Sequence, residues 1–385
     1  MNAIFLSKAI GAAIFAVGST NNTPVELSKA IQPPVSVATS AKAVTQTPVS
    51  QDSPPPVQEP TAPQPKNPNY FDPQMAILGV FRGTISDNSG EKKLFDFSEI
   101  EFNFVADVDP YSRAYLVIAV VNEDGETITE LEEATITYSN FGRGLQAKAG
   151  KFAGAIGRIQ RNHLDQLEFN DYPFVIQDVL GEEGLRAPGA SFSYLFPGDR
   201  FNELSLEAVN LPEDGPLFMN SSISRPVFIG RYRTFFDFSE DVSAQLGASY
   251  ATGPNGDTSG NASLFGVDFT TKWNPSTKGK SAIFEAEAYW ANPEISGTGT
   301  TFGAFAALTY EVMPRWFATL KADYSEIPGT ADIRKATSFG VTYKLSEFQL
   351  WRLEYQQILS NFESTRNALT LKLQWLIGTH PAHKY

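Results

Sequence analysis

The chain has 385 residues, is 42% hydrophobic and 19% charged, and carries a net charge of −13 with no cysteine. That balance excludes the basic surface a nucleic acid requires, and the lack of cysteine excludes disulfides and thiolate metal sites. No apolar run reaches the roughly 18–20 residues of a membrane-spanning helix, which leaves open a barrel of short alternating strands.

Residues 1–18 read as a candidate signal peptide. Lys8 precedes the apolar stretch AIGAAIFAV (Ala9–Val17), and Ala16 and Gly18 are small residues at a cleavage position. Residues 19–69 are rich in Pro, Thr, Ser, Ala and Gln and include SPPPVQEPTAPQPKNP. Little there can pack a core, and proline removes backbone donors, so the expectation is a disordered linker of polyproline II character serving as a tether.

From Tyr70 onward strand-like runs follow one another. The pattern predicts strands at Gln74–Arg82, Leu94–Ala106, Tyr111–Val121, Thr127–Ser139, Leu145–Phe152, Ala190–Phe196, Asn202–Asn210 and Val227–Phe238. It continues with Val242–Thr252, Ser263–Trp273, Ser281–Ala291, Thr301–Val312, Trp316–Tyr324, Thr337–Leu345, Phe348–Ile358 and Ala368–Ile377, about 16 strands in all. Turn signals separate them, among them Asp109–Pro110, Glu123–Gly125, Gly253–Asp257 and Pro328–Gly329.

Period-two alternation sorts each run into two faces. In VFIGRYRTFFDF, Arg231, Arg233 and Asp237 share one face, and Phe228, Tyr232, Phe236 and Phe238 the other. Glu285 and Glu287 oppose Phe284, Ala286 and Ala288; Arg352 and Glu354 oppose Trp351, Leu353 and Tyr355. A β-sandwich with a solvated face gives the same alternation. A closed transmembrane antiparallel β-barrel explains more. The runs approach the ~9–11 residues that cross a bilayer at a tilt. Aromatics crowd the strand ends, as interfacial girdles require: Tyr70, Phe71, Tyr111, Tyr194, Phe196, Trp273, Trp290 and Trp316. The fold class expected is therefore all-β, one barrel over residues 70–385 behind the Pro-rich segment, in a bacterial outer membrane. The last strand, NALTLKLQWLIG, would turn Leu369, Leu371, Leu373 and Trp375 to lipid, and the closing Tyr385 resembles the assembly signal of outer-membrane proteins.

One connection is too long for a turn: GKFAGAIGRIQRNHLDQLEFNDYPFVIQDVLGEEGLRAPG, from Gly150 to Gly189. Its apolar content predicts an ordered loop that folds into the lumen over about 153–188. The pieces LEEATITYSNFGRGLQAKAGKF, GRIQRNHLDQLEFNDYPFV and GEEGLRAPGASFSYLFP resemble the phosphate-selective porin family of Gram-negative outer membranes. The resemblance covers residues 79–385 and implies a 16-stranded barrel, a homotrimer, a loop folded into the pore, outer-membrane lipid as surroundings and the assembly machinery as partner of the C-terminal strand.

The candidate constriction and pore-lining residues are Arg158, Arg161, His163, Asp165, Glu168, Asp171, Glu182 and Glu183 in the loop, with Arg231, Arg233, Glu285 and Glu287 on strands. A His among acids can bind metal and paired carboxylates can serve a hydrolase, but the sequence fixes no geometry here. No HExxH, GxSxG or P-loop pattern occurs, and His380 and His383 in HPAH could hold a metal but read more simply as an exposed end. No catalytic residue, metal or cofactor is assigned. The function expected is a passive diffusion channel for small hydrophilic solutes or ions, of weak, cation-leaning selectivity and without a tight phosphate site. The rival is a plugged barrel acting as an adhesin or surface enzyme.

Overall fold

The structure, a computed structural model, describes residues 73–378 apart from 88–92, 124–125, 140, 143, 212–214, 257–259, 276–279 and 296–297. The expected signal peptide, the Pro-rich linker, Tyr70, Phe71 and the HPAH tail lie outside the described residues.

Sixteen strands follow in order: β1 (Gln74–Ser86), β2 (Lys93–Asp109), β3 (Ser112–Glu123), β4 (Glu126–Tyr138), β5 (Leu145–Ala153), β6 (Arg186–Leu195), β7 (Asn202–Val209) and β8 (Val227–Asp237), then β9 (Val242–Pro254), β10 (Asn261–Trp273), β11 (Ala282–Asn292), β12 (Thr301–Met313), β13 (Trp316–Glu326), β14 (Ile333–Ser346), β15 (Gln349–Ser360) and β16 (Arg366–Gly378). Each pairs antiparallel with its sequence neighbour, and β16 pairs with β1 from Ala76↔Gly378 to Ser86↔Ala368. The sheet thus closes and leaves no edge to template aggregation. One rim carries the start of β1 and the end of β16 together with turns such as Asp109–Ser112 and Met313–Trp316; the other carries the long connections.

The barrel is turned inside out relative to a water-soluble domain. On β8, Phe228 is 57% exposed while Arg231 is 2% exposed. Leu320 and Leu353 point outward, whereas Lys321, Asp323, Arg352, Glu354 and Lys372 are buried. An apolar outer belt around a charged interior fits a hydrocarbon surround and would be unstable in water. Aromatics mark both margins of that belt. Phe265, Trp290, Phe302 and Tyr324 form a chain of ring contacts of 5.3 to 6.1 Å between centroids near one rim. Trp316 and Tyr343 lie 4.7 Å apart near the other.

The strand boundaries differ from the sequence pattern at one place that matters. β6 begins at Arg186, not Ala190, because the ladder with β5 continues through Lys151↔Pro188 to Ala153↔Arg186. The long connection is therefore 154–185. It holds 3-10 turns at Ile159–Arg161 and Leu164–Gln166 and a helix, α1 (Phe174–Leu180), which is too short to show helical periodicity. Ile156, Ile159, Phe169, Val175 and Ile176 pack with inward residues of the wall, including Ile229, Leu264 and Phe305. The loop thus packs against the inner wall of the barrel.

Candidate functional site

The loop is docked by two complementary halves. The first half presents backbone donors to acidic strands. The Ala155 amide donates to Glu207 Oε2 on β7 (2.7 Å), and the Arg158 and Ile159 amides donate to Glu287 Oε1 on β11 (2.7 and 2.8 Å). The Arg158 guanidinium pairs with Glu285. Gly157 has φ +59°, and a β-carbon there would collide with the Tyr289 hydroxyl and the Glu287 carboxylate. Only glycine accepts that conformation and that approach together.

The second half presents acceptors to basic strands. Lys372 Nζ donates to Leu164 O (3.2 Å), Arg352 Nη2 to Leu167 O (2.8 Å), Arg82 Nη2 to Asn170 O (2.9 Å) and Lys321 Nζ to Asp171 O (3.3 Å). Loop carboxylates complete the match: Asp171 pairs with Arg82 at 2.7 Å, Glu168 with Lys344 at 3.0 Å, and Asp178 on α1 with Arg334. Asn170 is the exception, its amide donating to Glu354 Oε2 at 3.1 Å. Burial opposes ionisation of Glu168, but Lys344 and Arg352 outweigh it and hold the carboxyl below its ordinary value. Asp171 is likewise lowered, burial being outweighed by Arg82 and Lys321.

Between the halves stands His163, 5% exposed. Its Nδ1 lies 2.7 Å from Glu132 Oε2 and 3.4 Å from Glu101 Oε1, and its Nε2 lies 3.6 Å from Glu133 Oε1. Burial disfavours the imidazolium, yet the charge of Glu101 and the close carboxylates of Glu101, Glu132 and Glu133 outweigh it, raising His163 well above the usual histidine value.

The remaining expected residues divide. Asp165 offers its backbone carbonyl to Gln374 Nε2 (3.2 Å). Arg161 lies near Arg231 and Arg233, and burial together with those two charges lowers it to about 10. Arg231 pairs with Asp268 of β10 at 2.9 Å, passing Gly247 of β9, where a β-carbon would strike the Asp268 carboxylate. Arg233 pairs with Glu203 at 2.9 Å. Glu182 and Glu183 are exposed at the Gly181–Gly184 turn, where the Glu183 carbonyl accepts from Arg186.

Sequence reasoning missed Arg82, Lys344, Arg334 and Glu132. Strict alternation puts Glu133 inside and Glu132 in lipid. Instead β4 carries a bulge: Val117 faces Glu133 and Ile118 faces Leu131, so Glu132 has no cross-strand partner and both glutamates turn inward. The signal was present, since two successive carboxylates in mid-strand fit a lipid-facing alternation only with a bulge.

No family model matches the chain. An Aquifex aeolicus (strain VF5) protein described as uncharacterized is 24% identical over 359 residues, covering 81% of this chain and 75% of that one. Among solved structures, the anion-selective porin from Comamonas acidovorans has TM-score 0.57 at 10% identity, covering 80% of this chain and 100% of the porin. The trimer form of OmpT, an outer membrane protein of Vibrio cholerae, has TM-score 0.51 at 10% identity, covering 79% and 99%. These likenesses show that the chain has the closed-barrel fold of outer-membrane porins.

Proposed function

We propose that the protein is a porin of a bacterial outer membrane, a passive diffusion channel for small hydrophilic solutes or ions with weak, cation-leaning charge selectivity. The observation that carries this reading is the pairing of a lipid-facing 16-strand barrel with a charged interior and an ordered loop, 154–185, folded into it. Structural likeness to porins supports it, and likeness to a trimeric outer-membrane protein supports a homotrimer. Residues 1–18 would direct export, residues 19–69 would tether, and β16 would engage the assembly machinery. The resemblance to phosphate-selective porins concerns the broad family. No phosphate trap is proposed, because the basic groups of β1 and β13–β16 are largely occupied by loop carbonyls and carboxylates. Planar-bilayer recording tests the reading: steady openings in steps of three support it, and deleting the loop tip from a barrel that still folds raises the conductance.

A second reading is favoured by one observation. The loop bonds to walls as far apart as β7, β11, β15 and β1, so it spans the section of the barrel. A folded protein without conductance, restored by loop deletion, identifies a plugged barrel that works as an adhesin or surface enzyme.

A further inference from the structure

We propose that Glu101 of β2, Glu132 of β4 and His163 of the loop form a binding site for one divalent transition-metal ion of the Zn2+ class, which fastens the midpoint of the loop to the wall. Each offers one ligand atom, and these atoms lie within 4.8 Å of one another. Ligands about 2.1 Å from a tetrahedral ion are about 3.4 Å apart. The Nδ1–Glu101 Oε1 separation is 3.4 Å, and the Nδ1–Glu132 Oε2 separation of 2.7 Å opens by less than an ångström when the ion replaces the proton between them.

Three independent features point to a ligand. First, His163 Nε2 is buried and makes no hydrogen bond, while Glu133 Oε1 waits 3.6 Å away. With Nδ1 on a metal, the proton resides on Nε2 and faces that carboxylate, the usual outer partner of a ligating imidazole. Second, Glu101 is oriented from behind: Asn103 Nδ2 donates to Glu101 Oε2 (3.2 Å), and Tyr115 Oη donates to Asn103 Oδ1 (3.0 Å). That leaves Oε1 free to ligate. Third, the β4 bulge exists at Glu132 and aims this carboxylate inward where regular pairing would place it in lipid.

The charge count agrees. Glu99, Glu101, Glu132 and Glu133 cluster here with Asp165 close by, and Arg186 and Lys148 are the other cations acting on them. With a neutral, ligating imidazole, the carboxyl groups here outnumber these two cations, and a divalent ion lessens that excess. Uncompensated buried charge is costly, and a bound cation removes that cost. The imidazole favours Zn2+ over Ca2+ or Mg2+, which prefer oxygen-only cages.

The test uses the full chain in detergent, stripped with a chelator and titrated with Zn2+. The expected result is one Zn2+ per chain, unaffected by equimolar Ca2+. Glu101→Gln and Glu132→Gln each weaken binding at least about tenfold, while Glu363→Gln, at an exposed connection, leaves it unchanged. His163→Gln abolishes it, so the visible bands that Co2+ gives in the wild-type protein do not form. Heat-modifiable gel migration confirms each barrel, and if the His163 variant does not fold the two glutamine variants carry the test. Saturating Zn2+ also protects the loop from protease. Absence of Zn2+ binding, retention of wild-type affinity in both glutamine variants, or equal competition by Ca2+ overturns the proposal.

Discussion

Arg352 of β15 donates from Nη2 to the carbonyl oxygen of Leu167 at 2.8 Å and from Nε to Thr342 Oγ1 at 2.9 Å. One buried side chain thereby joins two strands to the loop. Its removal leaves a buried carbonyl without a donor and Glu168 with one cation fewer, a loss of roughly 2–3 kcal/mol in loop docking. Arg352→Met is expected to keep the barrel, judged by heat-modifiable migration. Its loop should become sensitive to trypsin at Arg158 and Arg161, and its single-channel current noisier. A loop as resistant as the wild type would show that Arg352 is not what anchors it.

Gly157 predicts a paired effect. Alanine there meets both a left-handed backbone (φ +59°) and the Tyr289 hydroxyl. Gly157→Ala is expected to destabilise the docked loop by roughly 1–3 kcal/mol. Adding Tyr289→Phe removes the clash with the hydroxyl and leaves the Glu287 contact and the backbone strain, so the double variant recovers part of the loss. Protease protection of the loop reads this out. Strict additivity of the two changes would place the alanine methyl elsewhere than beside Tyr289.

Acid should undock the second half of the loop. Glu168 faces Lys344, Arg352 and Lys272, with Glu285 also in range, and its folded-state value lies below the ordinary 4.5. A lowered carboxyl contributes stability that is fully present above the unfolded value and is lost as pH falls through the folded one. Current noise is therefore expected to stay constant from neutral pH down to about 5 and to rise below about 4.5. Glu168→Gln should show the acidic behaviour already at pH 7. Noise that instead rises toward alkaline pH would assign the docking to other groups.

The strands were legible because both environments of a membrane barrel write themselves into period two. Trp316–Glu326 alternates Leu320 outward with Lys321 inward, and neither choice depends on distant residues. The conformation of the loop was not legible in the same way. His163 meets Glu101 and Glu132 through contacts far apart in sequence, and which carbonyl Arg352 reaches depends on where the loop crosses the lumen. Apolar content announced an ordered loop, but partners follow from closure of the barrel, which no local pattern encodes. Glu182 and Glu183 show the cost of counting charge without position, since they share the loop's composition but stay exposed.

Charge selectivity follows from which interior charges are already paired. Arg82, Lys344 and Arg334 face Asp171, Glu168 and Asp178, and Lys321 faces Asp323 at 3.2 Å. Arg231 and Arg233 are matched by Asp268 and Glu203. Glu99 and Glu133, beside Glu101 and Glu132, belong to the sector with surplus negative charge. A mobile ion responds to the unbalanced field, and within a narrow lumen that field is screened less than at an open surface. In a KCl gradient, with chelator present, the reversal potential should lie on the cation side and well short of the ideal value. The double variant Glu99→Gln/Glu133→Gln leaves the two ligating glutamates in place and removes two carboxyl groups from this sector. It is expected to move the potential toward zero or to the anion side. A wild-type channel that is strongly anion-selective, or blocked by micromolar phosphate, would mean that Arg161, Arg231 and Arg233 dominate the permeation path despite their acidic partners.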